Sequence, residues 1–400
     1  MRFISPIRDF FHRESASGLL LISAALLGMV VANSALSDGY FSFLDASFSL
    51  GNDSLFLKLT TLKVINYLLM TIFFFIVGLE IKRELTTGHL ASLRRALAPL
   101  LGALGGMVLP AALYLVIAAD IAPQGWGVPV ATDIALAVGL LGLMGTAVAP
   151  ALRTFLLGLA VIDDIGAILI IALIYSTGVK VDWLVAALAT ILVIALVKRM
   201  RARRSALYIL LGILLWYALY RCGVHPTLAG VILGLMTPNW PLESIDLADE
   251  EDGSITIIDW LMERIHPWSS FLIVPLFAFA NTGVKISQDS ISQAIQSPIA
   301  WAIFAGLVVG KPIGIFLTVV IAARLKVAEY PSGARPSSIF ATGSAAGIGF
   351  TVAIFIAELA FPIDSERDIA VIAVIGASLI SAFLSWVIFS FIKRSSQNQM

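Results

Sequence analysis

The sequence predicts an all-α polytopic membrane protein with about twelve transmembrane helices. Three observations predict it. Apolar residues make up 59% of the 400-residue chain and charged residues only 13%, against about 25% charged in ordinary soluble domains. The apolar residues fall in runs close to the ~20 residues that cross a hydrocarbon core. Those runs follow one another over nearly the whole chain, with room for about twelve and little left for a soluble domain. We therefore read residues 1–400 as a single integral membrane unit.

Composition excludes several classes. The net charge is zero, so no basic surplus is available for nucleic acid. Cys222 is the only cysteine, which rules out an internal disulfide, a thiolate zinc cluster and an iron–sulfur centre.

The first run, 15–36, has no charged residue for 22 positions. A signal-peptide core is only about 7–15 residues, so this is an uncleaved first span. Residues 40–59 alternate in part between apolar and polar around Gly51-Asn52, which reads as a short extracellular β-hairpin; on pattern alone a plain loop fits as well. The remaining spans are expected at 63–81, 95–119, 125–145, 150–176, 181–197, 205–220, 222–238, 256–284, 297–323, 337–361 and 367–392. An even number of spans puts both termini on one side. Of the 26 Lys and Arg residues, 19 fall in the tails and loops on the side of the termini, among them Arg2, Arg8, Arg13, Arg203 and Arg204. Six fall on the other side and Lys311 lies inside a span. The positive-inside rule then makes both termini cytoplasmic. The stretch 239–254 carries six acids, from Glu243 to Asp252, and no base; acids weigh little in that rule, so the orientation stands.

A weak internal repeat is visible. Gly102, Gly105, Gly106 and Pro110 in span three correspond to Gly306, Gly310 and Pro312 in span ten. Spans four and eleven are each interrupted, by GWGVPVATD at 125–133 and by GSAAGIGFT at 343–351. Broken spans at corresponding places in two three-helix units point to a transporter binding site. The plainer reading is that small residues let helices pack closely.

Asp133, Asp163, Asp164 and Lys311 lie deep in spans. A charge there is costly unless it is paired or wetted, so function is the default hypothesis. One Lys–Asp salt bridge would account for two of the four. Three carboxylates against one lysine leave two negative charges for a mobile partner, either protons or a cation. Adjacent carboxylates such as Asp163 and Asp164 cannot both ionise cheaply in a low dielectric, and they titrate as a unit. A hard cation such as Na⁺ or Li⁺ accepts carboxylate and hydroxyl oxygens, and Thr132 supplies a hydroxyl beside Asp133. The absence of His and Cys nearby argues against zinc or copper. Where a helix is broken at mid-membrane, like ends face one another with partial charges of about half a unit. Asp133 suits facing positive ends and Lys311 facing negative ends. Lys311 also suits Asp163 as a partner, and the sequence leaves both possibilities open.

These residues carry a resemblance. ATDIALAVG at 131–139, VIDDIGAIL at 161–169, GLEIKREL at 78–85, GVHPTLAGVILG at 223–234, HPW at 266–268, VPLFAFAN at 274–281, GKPIG at 310–314 and GIGFT at 347–351 resemble the bacterial NhaA family of Na⁺/H⁺ antiporters, in the family's order. The resemblance implies two inverted three-helix repeats, 95–176 and 297–392, a crossed pair of unwound helices, and an interface part formed by 15–94 and 205–284. It implies a homodimer held by the hairpin 40–59, in a bacterial inner membrane. It implies that Asp163 and Asp164 carry Na⁺ and protons, with Thr132, Asp133 and Lys311 in support, and that Na⁺, Li⁺ and H⁺ are cargo with no cofactor. A pH-response set maps onto Glu80, Arg83, Glu84, Glu263 and His266, with His225 apart from them. Each of these has a bland alternative: Glu80 to Glu84 is also an ordinary solvated helix end, and His225 before Pro226 also a helix cap. His12 and His89 read as plain loop histidines. One departure is that the family often has an aspartate on span two where this chain has Tyr67.

The leading expectation is thus an electrogenic, pH-regulated antiporter rather than an enzyme. A Na⁺-coupled organic-anion symporter of similar fold is the alternative; it needs an anion-binding donor set, for which Lys311 alone is thin. An intramembrane aspartyl protease needs Asp in YD and GxGD contexts, and no aspartate here has either.

Overall fold

The computed structural model describes residues 14–52, 55–176, 178–201, 205–239 and 256–397. The acidic stretch from Glu243 to Asp252, His12 and the basic residues Arg2, Arg8, Arg13, Arg203 and Arg204 lie outside them. Seven of the described helices are long and apolar enough to cross a membrane, or nine when each of two bent pairs counts as one span.

Helix α1 (Glu14–Ala32) bends by 110° into the short helix α2 (Ser37–Asp45). Here the sequence expectation needs correction, because 40–45 is helical and the hairpin begins later. Tyr40 and Leu44 are four apart and both buried, which is a helical spacing that the local alternation hid. Strands β1 (Ser47–Asn52) and β2 (Leu55–Thr60) pair antiparallel, with Ser47 opposite Thr60 and Asn52 opposite Leu55. The Thr60 side chain then accepts from the Lys63 N–H and starts helix α3 (Thr61–Thr86).

Helix α4 (Leu93–Ala118) leads to a tight 3₁₀ stretch, Pro123–Val130, and then to α5 (Ile134–Leu143), α6 (Pro150–Leu173) and α7 (Val181–Arg199). The next three expected spans are less regular. Helix α8 (Ser205–Cys222) is short, and α9 (Leu228–Met236) has only 9 residues. Helix α10 (Ile257–Trp268) carries Asp259, Glu263, Arg264 and His266, and reaches the apolar α11 (Val274–Asn281) through a π turn, Ser269–Ile273. After α12 (Gln288–Gln296) comes α13 (Pro298–Arg324), which contains a further π turn at Gly306–Gly310. Helices α14 (Pro336–Ala346) and α15 (Phe350–Ala360) meet at 48°, and α16 (Asp364–Gln397) closes the fold.

The most extensive helix contact among the described residues is between α4 and α13, the two spans that share the Gly-rich run. Backbones touch there: a Cβ added at Gly105 would run into the Gly314 carbonyl, and one at Gly310 would lie 2.9 Å from the Pro110 Cα. A side chain at either place would push the helices apart. Farther off, the buried amides of Asn66 on α3 and Asn281 on α11 donate to each other, both at 2.9 Å, which satisfies polar groups that hydrocarbon cannot. Large apolar side chains such as Val116, Leu173, Leu192 and Ile213 point outward and exposed, as a surface against lipid tails requires.

Candidate functional site

Two segments lose helical geometry inside the protein, and they cross where they do so. In the first, the 3₁₀ stretch ends at Val130, Ala131 and Asp133 are extended, and α5 begins at Ile134. In the second, α14 ends at Ala346 and α15 begins at Phe350. The Asp133 N–H donates to the Ile348 carbonyl at 2.7 Å, and the Thr132 hydroxyl lies 3.0 Å from the Ala346 carbonyl. Gly and Pro at the first place and Gly at the second weaken the helix, and each break leaves backbone groups that need partners.

Those groups explain two of the buried charges. Asp133 caps α5 by accepting from the Leu136 N–H at 3.1 Å through Oδ1. Its Oδ2 accepts from the Thr351 N–H at 3.1 Å and the Thr351 hydroxyl at 2.6 Å. One carboxylate therefore faces the positive ends of two helices. Lys311 does the converse. Its ammonium donates to the Val130 carbonyl, at the negative end of the 3₁₀ stretch, and lies 3.0 Å from Asp163 Oδ2. Of the two partners that the sequence leaves open, Lys311 has Asp163, and its helix end belongs to span four rather than span eleven. The π turn Gly306–Gly310 delivers Lys311 to this place. A Cβ on Gly306 would sit 2.6 Å from the Pro129 Cβ, so glycine lets α13 lie against the 3₁₀ stretch.

Asp163 and Asp164 come from the middle of α6. Asp163 Oδ2 holds both Lys311 and the Thr132 hydroxyl, the latter at 2.8 Å. Thr132 has one hydroxyl proton and two acceptors in reach, Asp163 and the Ala346 carbonyl. Asp163 Oδ1 is buried and has no hydrogen-bond partner among the described residues. A carboxylate oxygen in that condition is costly, and a proton or a hard cation satisfies it. Asp164 is 7% exposed, and the fields of Glu80, Asp163 and Asp133 reach it. The pair is thus unequal, with one carboxyl sealed and its neighbour at the edge of the sealed region. The sequence admits Asp133 both as an ion ligand and as a dipole partner. The donors on both of its oxygens fit the second.

The expected pH-response residues are dispersed. Glu80 on α3 faces His266 on α10 at 3.9 Å, and Glu263 stands exposed one turn before His266. Arg83 is exposed and Glu84 half-buried, one turn beyond Glu80. His225 is in another place. It is buried between Tyr67 and Phe355, with ring centroids at 4.8 and 5.2 Å, and its Nδ1 is 2.7 Å from the Thr227 hydroxyl.

Four participants escaped the sequence reading. The carbonyls of Val130, Ala346 and Ile348 carry no side-chain signature. Glu358, three positions from the expected end of span eleven, is partly buried and pairs with Arg367 at 3.3 Å. A count of acids up to the span ends would have found it.

A helical membrane fold whose discontinuous helices cross over buried carboxylates and one buried lysine has the architecture of secondary transporters. The chain belongs to the Na⁺/H⁺ antiporter 1 family, whose profile matches residues 8–389. It is 44% identical over 388 residues to the Na(+)/H(+) antiporter NhaA of Shigella dysenteriae serotype 1, covering 95% of this chain and 97% of that one. The same values hold for the protein of that name from Escherichia coli K12. Among solved structures, the sodium proton antiporter MjNhaP1 of Methanocaldococcus jannaschii at pH 8 matches with a TM-score of 0.51 over 98% of this chain and 97% of that one. At 14% identity that match speaks for the fold alone.

Proposed function

We propose that this protein is a secondary antiporter of the bacterial inner membrane that exports Na⁺ or Li⁺ in exchange for entering protons. One observation carries the mechanism: Asp163 is fully buried, with one oxygen held by Lys311 and Thr132 and the other without a partner. Two ligands suit that free oxygen, a proton and a hard cation, and they exclude each other. Asp164 adds a second titratable oxygen pair at the edge of the site. A cation on Asp163 takes over the counter-charge that Lys311 supplies, so Lys311 then gives up its proton or its partner. Displacement of more than one proton by one Na⁺ makes the cycle electrogenic.

Alternating exposure comes from movement of one bundle against the other around the crossing, with Asp133 and Thr351 keeping the broken ends paired. We read twelve crossings in two inverted repeats, with both termini cytoplasmic; the shared Gly-rich runs of α4 and α13 and the excess of Lys and Arg support that reading. The strands β1 and β2 support a homodimer contact on the outer face, and the Glu80–His266 pair supports a pH response.

The test is proton movement in everted vesicles, triggered in turn by Na⁺, Li⁺ and K⁺. Na⁺ and Li⁺ collapse an imposed proton gradient and K⁺ does not. A gradient untouched by both Na⁺ and Li⁺ would overturn the reading.

A further inference from the structure

Helix α15 connects the site to a second charged feature that exchange at Asp163 does not use. Thr351, which bonds Asp133, and Glu358 are seven residues apart. On a helix that places them within about 20° of the same face and about 10.5 Å apart along the axis. Between them Phe355 is fully buried, packed against Phe74, His225 and Phe277 at centroid distances of 5.3, 5.2 and 5.9 Å. His225 Nε2 in the same layer is buried without a partner. Beyond that layer Tyr67 stands in the field of Glu358. The column therefore runs from Asp133 and Thr351, past an aromatic layer with one unsatisfied nitrogen, to Glu358, the only acid in α15.

At that end Arg367 holds Glu358. Its Nε is 3.3 Å from the carboxylate, and its Nη2 is 2.9 Å from Asp364. Glu358 and Arg367 are 23% and 26% exposed and Asp364 is 82% exposed, so the inner pair shares a confined place and the third group is in solvent. Asp368 and Lys63 also face Glu358.

We propose that Glu358 sets the apparent cation affinity on the face to which α15 leads, and that Arg367 is its tethered competitor. The inference rests on the antiport reading above. A fixed charge at a narrow, low-dielectric mouth changes the local cation concentration. While Arg367 occupies Glu358 the two charges cancel, and a departing cation is not drawn back. Removing either partner leaves the other uncompensated, with opposite consequences. A unit charge changes the concentration of cations within about 10 Å of it by about two- to fifteen-fold between aqueous and surface-like dielectric values, an effect confined to the face on which it stands.

The test compares wild type, Glu358→Gln, Arg367→Gln and the double variant in right-side-out and everted vesicles, with NaCl as the probe and proton movement as the readout. Elution as a monodisperse species in detergent and the conservative variant Glu358→Asp control for folding. On the outer face Glu358→Gln weakens apparent Na⁺ affinity about three- to ten-fold, Arg367→Gln strengthens it by a similar factor, and the double variant returns near wild type. The inner-face value stays within about twofold in all of them. A purely structural latch gives losses of the same sign in both single variants, and that result overturns the proposal. So do equal shifts on both faces, or none. A wild type without Na⁺-driven proton movement overturns the antiport reading and this inference together. Normal exchange without the opposite shifts overturns the inference alone.

Discussion

At the crossing of the broken helices, Asp163 and Lys311 are 3.0 Å apart and neither is exposed at all. At the end of α3, Glu80 and His266 are 3.9 Å apart and are 25% and 53% exposed. Both pairs set an acid against a base, yet their surroundings give them different tasks. Within the crossing each charge has a fixed partner, and loss of one leaves the other where water cannot reach it. At the helix end, water and salt replace any partner that is lost. On the antiport reading proposed above, burial, more than residue type, separates a pair that decides whether exchange occurs from a pair that adjusts it.

Substitutions at five positions and one titration sharpen that contrast. The largest effect belongs to Asp163→Asn, which removes both the titratable proton and the cation oxygen. Na⁺-driven proton movement falls to background while the protein still inserts; substantial exchange at saturating Na⁺ would relocate the site. Next is Lys311→Ala, which breaks a buried pair and costs about 3–5 kcal/mol, read as a lower melting temperature in detergent. Lys311→Arg keeps the charge and is milder. An alanine variant that melts and transports like wild type would show that Lys311 is solvated. Third, Thr351→Val removes a hydroxyl donor from a charged acceptor and costs about 1.5–3 kcal/mol, whereas Thr351→Ser keeps the bond and the stability.

The titration concerns the shared oxygens. On the proposed mechanism Na⁺ binds the ionised carboxylates and releases protons, so apparent Na⁺ affinity weakens as pH falls, by up to about tenfold per pH unit for each proton displaced. Calorimetry in two buffers counts those protons, and an affinity independent of pH with no proton release would sink the shared site. If competition is all, saturating Na⁺ restores the full rate at mildly acid pH; a separate sensor prevents that. The smallest effect is at the partly exposed pair. Glu80→Gln or His266→Ala changes stability by about 1 kcal/mol or less and shifts the pH dependence of the rate more than its maximum. A loss of rate like that of Asp163→Asn would erase the contrast between the two pairs.

The sequence made the crossing legible because it violates its own surroundings. A charge in an apolar run stands out, as Asp133, Asp163, Asp164 and Lys311 do, and Gly and Pro in a span announce a break. What holds those charges was less visible, since carbonyls such as Val130 and Ile348 belong to every residue type and only the path of the chain selects them. The turn at 33–36 contains neither Gly nor Pro, and it concealed α2 inside an expected hairpin. Glu358 was passed over because an acid near a span end ordinarily reaches solvent. In this chain Arg367 pairs with it where it is partly buried.

The π turn before Lys311 has one further consequence. A π turn accommodates about one residue more than an α-helical turn, so Gly306–Gly310 acts as a phase shifter, and the azimuth of everything after it depends on that surplus residue. Drawing all five residues of the turn into regular helix, with none deleted, would rotate Lys311 by about 100° and turn its ammonium away from Asp163, though no residue of the site has been altered. The local winding of this turn is therefore as much a determinant of the site as the identity of its side chains, and a comparison of residue types alone would overlook it.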